Sequence, residues 1–416
     1  MLGAGVLLVL LAALGVPLFA IIAAGAMLGF ARAEIDLSVV AIEFFGIAET
    51  PVLVAIPLFT FAGFLLSEGG APQRLVRLSR ALLGWLPGGL AMIALAVCAL
   101  FTAFTGASGV TIIALGALLY PALVEAGYER RFSLGLVTAS GSLGLLFAPS
   151  LPLILYGIVA EAPIDELFLA GILPGLLMVV LLCLYSFFRN RHAVAASVSP
   201  REVLDAIRAA RWELPLPVVV LGGIYSGYFA VSEAAAVTAL YAFAVEMLIL
   251  REIRWRELPR IVRESMVLVG AILTILGMSL ASTNYIIDAG VPQRLFELTS
   301  EHVSGQKTFL LALLAFLLVL GAILDIFSAI VLVVPLIVPV ALEYGVHPIH
   351  LGIVFLAAME LGYLTPPVGL NLFISSHRFG KDILEVYLAT VPFLLVLLVS
   401  VLIITYWPAL SLAFLS

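Results

Sequence analysis

The sequence predicts an all-α polytopic membrane protein made of two inverted structural repeats, and three observations support this. First, 63% of the 416 residues are apolar and 11% are charged, and uncharged runs of about twenty residues, enough to cross a bilayer as helix, recur along the chain. Second, the chain matches itself. Shifted by 218, Pro121, Glu125, Gly127, Gly144, Leu146, Pro149 and Pro174 fall on Pro339, Glu343, Gly345, Gly362, Leu364, Pro367 and Pro392, and further upstream, at an offset of 220, GAPQRL at 70–75 meets GVPQRL at 290–295. Third, Lys and Arg collect on one side of the expected spans. A soluble fold is excluded, and residues 1–416 read as a single integral membrane domain. The net charge of -6 gives no reason to expect a nucleic-acid partner, and Cys98 and Cys183 stand apart in apolar segments, so neither a disulfide framework nor a metal cluster is indicated.

Taken in order, full spans are expected near 2–30, 50–68, 168–188, 214–230, 232–250, 265–287 and 385–412. The first begins apolar with no basic region or cleavage site, so it reads as an uncleaved span. Segments 88–126 and 308–343 are each two apolar arms around a polar tip, the pattern of a re-entrant helical hairpin. Segments 132–160 and 350–376 are membrane-length helices broken in the middle by Gly and Pro. Segments 71–86, 200–212 and 252–263 mix Arg with apolar residues and are expected to lie along the interface as amphipathic helices. Repeat 1 covers about 1–190, a connector with one extra span about 191–231, and repeat 2 about 232–416. The odd connector inverts the second copy, so the two hairpin tips meet near the midplane.

Charge sets the orientation. With a cytoplasmic N-terminus and a periplasmic C-terminus, only Arg32, Arg294 and Lys307 of the 20 basic residues fall outside, as the bias of positive charge toward the inner face requires. Trp85, Trp212 and Trp255 then sit at the inner boundary as interfacial aromatics.

The chemistry is expected where the helical pattern fails. FTGASG at 104–109 places Thr105, Gly106, Ser108 and Gly109 between apolar arms, and LDIFSA at 324–329 does the same with Asp325 and Ser328. The breaks carry Ser142, Gly144 and Ser150 in one copy and Gly362, Thr365, Pro366 and Asn371 in the other. Proline frees an upstream carbonyl, and unpaired backbone at bilayer depth persists only where protein, water or a ligand satisfies it. Carbonyl and hydroxyl oxygens suit a cation such as Na⁺, while exposed helix N-termini suit an anion. Gly or Ser in a membrane helix more often serves close packing, and it is the clustering at four equivalent breaks that favours a site. A carboxylate at the depth of Asp325 costs about 2.5–3.5 kcal/mol unless compensated. No Lys or Arg lies in either tip to do so, which leaves a cation, a proton or helix N-termini. Glu360, equivalent to Ser142, is either functional or a hydrogen-bonded structural residue. Glu233 and Glu246 read as interfacial or packing residues. The five His, His192, His302, His347, His350 and His377, are too dispersed for a metal site.

At these residues the chain resembles the large membrane subunit of the tripartite ATP-independent periplasmic (TRAP) transporters, of the C4-dicarboxylate and sialic acid type. The resemblance runs end to end through IPLFTFAGFLL at 56–66, LPGGL at 86–90, FTGASG with ALGALLYPAL, APSLPLILYG at 148–157, GIYSGYFAVSEAAAV at 223–237, the Asp325 hairpin with VVPLIVPV, and ELGYLTPPVGLNLF at 360–373. It implies an elevator-type ion transporter, not an enzyme, in a bacterial inner membrane. Transport elements 88–160 and 308–376 would slide against a scaffold of the remaining spans. It further implies coupling to two or more Na⁺, a small four-helix membrane subunit, and a periplasmic substrate-binding protein that delivers an organic acid. Carried over residue by residue, one Na⁺ lies among Thr105, Gly106, Ser108, Ser142 and Gly144. The other lies among Asp325, Ser328, Gly362 and Thr365, with Glu360 beside it. The substrate meets Ser108, Gly109, Ser150, Thr365, Pro366 and Asn371. Val110 stands where the family commonly has a second serine, which leaves backbone carbonyls to serve the first ion. A stand-alone dicarboxylate/Na⁺ symporter of the divalent-anion family, an H⁺-coupled carrier and a channel are the alternatives. An intramembrane hydrolase would need a base that Ser108 lacks.

Overall fold

The computed structural model describes residues 2–84, 86, 88–191 and 199–415. Trp85 and His192, expected above at the interface and in a loop, lie outside them. Among the described residues every regular element is helical. Seven helices are long and apolar enough to cross a membrane: Pro51–Glu68, Ser108–Glu125, Ile164–Arg189, Val231–Ile249, Leu258–Asp288, Ile326–Glu343 and Ile383–Tyr406. The chain is therefore an all-α, multi-pass membrane protein.

The expected two-armed segments are pairs of helices joined by short tips, Gly89–Thr105 with Ser108–Glu125 and Gln306–Gly321 with Ile326–Glu343. The expected broken helices are Arg130–Ser140 with Leu151–Val159 and Pro348–Gly362 with Leu370–Phe379. Shifted by 218, Ser108–Glu125 coincides with Ile326–Glu343 at both ends, and Arg130 falls on Pro348. The peptides before Pro149 and Pro367, equivalent under the same shift, are both cis.

Three elements differ from expectation. Segment 2–30 is two helices, Leu2–Ala13 and Leu18–Arg32, because Gly15 takes a left-handed φ of 85° and Pro17 cannot continue the ladder. At 1.5 Å per residue the first reaches only about 18 Å, short of the ~30 Å hydrocarbon core. Segment 252–263 is no separate interfacial helix, because the turn at 252–257 runs directly into the 31-residue helix Leu258–Asp288. The extra connecting span is an 11-residue helix, Pro215–Tyr225, of about 16 Å. The other two amphipathic helices form as Ala71–Leu83 and Pro200–Ala209, the latter started by a Ser199–Glu202 capping box.

The broken helices occupy the centre. Every residue from Ile349 to Gly362, from Phe132 to Ser140 and from Leu151 to Gly157 is buried, as expected of helices that are apolar on all sides. Small residues allow the approach: a Cβ on Gly144 would strike the Ala99 carbonyl, and one on Gly362 would strike the Gly321 backbone. Each break is thus held against an arm of its own hairpin.

Candidate functional site

At the first tip, Gly106 ends Gly89–Thr105 in a left-handed conformation, φ 63°, and donates its N–H to Thr102 O at 2.7 Å. The chain then restarts as Ser108–Glu125 with an extended Ala107 as N-cap, and no side chain caps it. The first-turn amides of Ser108, Gly109 and Val110 thus carry the unpaired donors that every helix start leaves over. Behind them, Thr102 Oγ1 lies 2.7 Å from Thr111 Oγ1 and donates to Gly141 O at 2.8 Å, tying both arms to the first break.

The second tip is built differently. Asp325 caps Ile326–Glu343: its Oδ1 accepts from Phe327 N and Ser328 N, both at 3.0 Å, and its Oδ2 accepts from Ser328 Oγ at 2.5 Å. The remaining first-turn donor, Ile326 N, goes to the Tyr363 hydroxyl at 2.8 Å. The tip carbonyl of Ala322 accepts from Val368 N at 3.1 Å and Gly369 N at 3.2 Å, fastening the second break to its hairpin. Asp325 is thus compensated by a helix N-terminus, one of the three options its depth left open.

Both tips open into one cavity of about 490 Å³. Gly106, Ser108 and Gly109 enter it from one hairpin, Asp325 and Phe327 from the other, and Leu370 from the start of the second half of the second broken helix. Three helix N-termini therefore converge there with no cationic side chain in the lining; the one at the second tip is offset by the Asp325 carboxylate, and the one at the first tip has no side-chain cap. The opposite wall is apolar: Leu268, Ala271, Ile272 and Ile275 of Leu258–Asp288, with Phe64 of Ala55–Glu68.

Of the expected site residues, Gly106, Ser108, Gly109 and Asp325 line this cavity, and the others do not. Thr105 is buried, its Oγ1 3.5 Å from Ala107 O. Thr365 donates to Leu361 O at 2.9 Å, and Pro366 is exposed. Asn371 joins the two breaks: its Nδ2 donates to Ser142 Oγ at 3.3 Å and to Thr138 O at 3.4 Å. Asn371 Oδ1, Ser150 Oγ and both carboxyl oxygens of Glu360 are buried with no hydrogen-bond partner, and such orphan atoms mark places for an ion, a proton or water.

Sequence reasoning missed Thr102, Thr111, Thr138, Ser375 and Tyr363. Its only available signal was position, since Tyr363 directly follows the break glycine and the threonines lie within a turn of a tip or break. Glu246, read as interfacial or packing, is wholly buried, with its carboxylate 3.2 Å from Arg74. Glu233 is exposed and accepts from Ala230 N at 2.9 Å in a capping arrangement.

Residues 5–410 match the family described as the tripartite ATP-independent periplasmic transporter, DctM component. The chain is 37% identical over 376 residues to the C4-dicarboxylate TRAP transporter large permease protein DctM of Pseudomonas aeruginosa, covering 90% of this chain and 88% of that one. It is 34% identical over 377 residues to the isethionate TRAP transporter permease protein DctMQ of Oleidesulfovibrio alaskensis, covering 90% of this chain and 59% of that longer one. Among solved structures, the YdaH transporter of Alcanivorax borkumensis shares the fold, with a TM-score of 0.57 at 14% identity over 89% of this chain and 87% of that one. The family match spans nearly the whole chain, including both hairpin tips and both breaks, and the chain therefore belongs to the large membrane permease subunits of the TRAP transporters.

Proposed function

We propose that this subunit carries out Na⁺-coupled uptake of an organic acid, a dicarboxylate, sugar acid or similar carboxylate, by an elevator mechanism with inverted repeats. The observation that carries the reading is the shared cavity: two hairpin tips of matching register face one space whose far wall belongs to a different, apolar helix. The two hairpins and two broken helices are interlocked by the Ala322, Thr102 and Asn371 bonds, whereas the Leu258–Asp288 wall offers the cavity only apolar side chains. Such a boundary favours sliding of one body past another.

The asymmetry of the tips orients the substrate. First-turn donors at the second tip are taken by Asp325 and Tyr363, while those at the first tip have no side-chain cap. A substrate carboxylate would therefore dock on the Ser108–Val110 amides, with Ser150, Thr365, Pro366 and Asn371 supporting the surrounding loops. One Na⁺ would lie among Thr105, Gly106, Ser108, Ser142 and Gly144. The other would lie among Asp325, Ser328, Gly362 and Thr365, with the orphan carboxyl of Glu360 nearby. The small four-helix subunit would brace the scaffold, and a periplasmic binding protein would deliver the solute to a chain lying in a bacterial inner membrane with its C-terminus periplasmic.

The test is thermal unfolding of the purified chain in NaCl, KCl and choline chloride at matched ionic strength, followed by reconstitution with both partners under an imposed Na⁺ gradient. A ligand at a hundredfold excess over its Kd stabilises the fold by about 2.7 kcal/mol, so Na⁺-specific stabilisation and gradient-driven uptake are expected. Identical curves in the three salts together with uptake that ignores the gradient would refute the coupling.

A further inference from the structure

Away from the cavity, the first amphipathic helix, Ala71–Leu83, is anchored by a single half-buried guanidinium. Arg74 Nε donates to Glu213 Oε1 at 2.6 Å, its Nη2 lies 3.2 Å from Glu246 Oε1, and its Nη1 pairs with Glu252. Glu252 also accepts from Gly70 N at 2.6 Å. The four side chains come from the interfacial helix, the segment before Pro215–Tyr225, the first span of the second copy and the turn after it. A π-helical turn, Ala244–Ile249, interrupts that span at Glu246, and a Cβ on Gly69 would strike the Glu246 carboxyl. Such one-turn bulges re-aim a side chain and recur at functional sites. The equivalent arginine of the second copy, Arg294, is exposed and has no acidic partner among the described residues.

The charges do not balance. Three carboxylates share one guanidinium, Glu246 is 0% exposed, and Glu213 Oε2 and Glu246 Oε2 are buried with no donor. An uncompensated buried carboxylate is strongly unfavourable. Burial opposes ionisation of Glu252, yet Arg74 and the Gly70 N–H hold it below the usual carboxylate range. Among the described residues no second cation pairs with the cluster: Glu68 pairs with Arg260, the Tyr241 hydroxyl donates to Trp212 O at 2.7 Å, and Pro215–Tyr225 carries no charge.

We propose that Glu246 is a proton-binding site: it holds a proton on the orphan Oε2 while Oε1 stays beside Arg74, and so latches the interfacial helix to the second copy on the face assigned to the cytoplasm. The native state then keeps at neutral pH a proton that the unfolded chain, with an ordinary glutamate, has already released. Stability must fall as pH rises, by about tenfold in the folded-to-unfolded ratio per pH unit for one proton.

The experiment follows reversible unfolding of the full chain in mixed micelles from mildly acidic to mildly alkaline pH, with the infrared carboxyl band recorded in parallel. Wild type should lose stability with rising pH and show a protonated-carboxyl band. Glu246→Gln, which keeps the shape and the donor, should fold, lose that band and flatten the pH dependence. Gly69→Ala, which displaces the Glu246 carboxyl without altering its titratable group, should weaken the dependence. An unchanged slope or an unchanged band in Glu246→Gln would overturn the proposal. So would stabilisation of wild type at alkaline pH by added K⁺ or Na⁺ that Glu246→Gln abolishes, since the ligand would then be a metal cation.

Discussion

Asp325 serves two roles that substitution can separate. As an N-cap it satisfies two amides, which an asparagine would do equally well, whereas alanine should cost about 1 kcal/mol. As a cation ligand it supplies charge, which asparagine does not. Asp325→Asn is therefore expected to unfold within a few tenths of a kcal/mol of wild type in choline chloride, yet to lose the Na⁺-specific stabilisation of the second ion site. Asp325→Ala should lose both. If Asp325→Asn kept its full response to Na⁺, this carboxylate would be a cap and nothing more. Steric limits are as local: Gly144→Ala would press a methyl onto the Ala99 carbonyl and the Ala103 amide. Both obstacles are backbone and cannot rotate away, so a loss of about 1–3 kcal/mol is expected in thermal unfolding.

Between elements, the contact most exposed to test is the Asn371 tie. Its amide donates to Ser142 Oγ across the two breaks, and it sits beside the Thr138–Ser375 bond of 2.9 Å. Asn371→Ala should cost about 1–2 kcal/mol for its lost hydrogen bonds. It should also lower the apparent Na⁺ affinity of the first site, because Ser142 is no longer held; a sodium titration monitored by melting temperature checks both effects. None of this coupling is visible in the chain, where Ser142 and Asn371 are 229 residues apart. What the sequence does encode is local. Apolar length marks the spans, Gly and Pro mark the breaks, and hydroxyl residues mark the tips, because each acts on its own few residues of backbone. The failures were also physical: hydropathy averages over Gly15 and Pro17 and so reads one span where there are two helices, and it cannot register a π-helical turn. Arg74 looked like any interfacial basic residue, since what distinguishes it are three carboxylates more than 130 residues away.

For the whole molecule, the elevator reading requires relative motion across the cavity. Phe327 rides on the second hairpin and Leu268 on the long helix opposite, and both line the same space. The bodies behind them are bound differently. Hairpins and breaks are joined by backbone and side-chain hydrogen bonds, so they should move together, while the opposite wall offers only dispersion contacts that can be remade at another height. Ser279 Oγ donates to Val331 O at 2.7 Å, a polar tether from this helix to the second hairpin that must break if that hairpin slides. Ser279→Ala is then expected to leave Na⁺ stabilisation unchanged and to shift the balance toward displaced states by about 1 kcal/mol, roughly fivefold in population. A cysteine pair at Leu268 and Phe327, in a background with Cys98 and Cys183 replaced, gives the decisive case. Bridged by a short thiol-reactive linker, it should bind Na⁺ as the unbridged protein does, since neither ion site spans this boundary, while reconstituted uptake is abolished and returns when the linker is cleaved. Uptake that continued through the bridge would mean that the two walls never need to part, and the cavity would then be opened by movement of the tips alone.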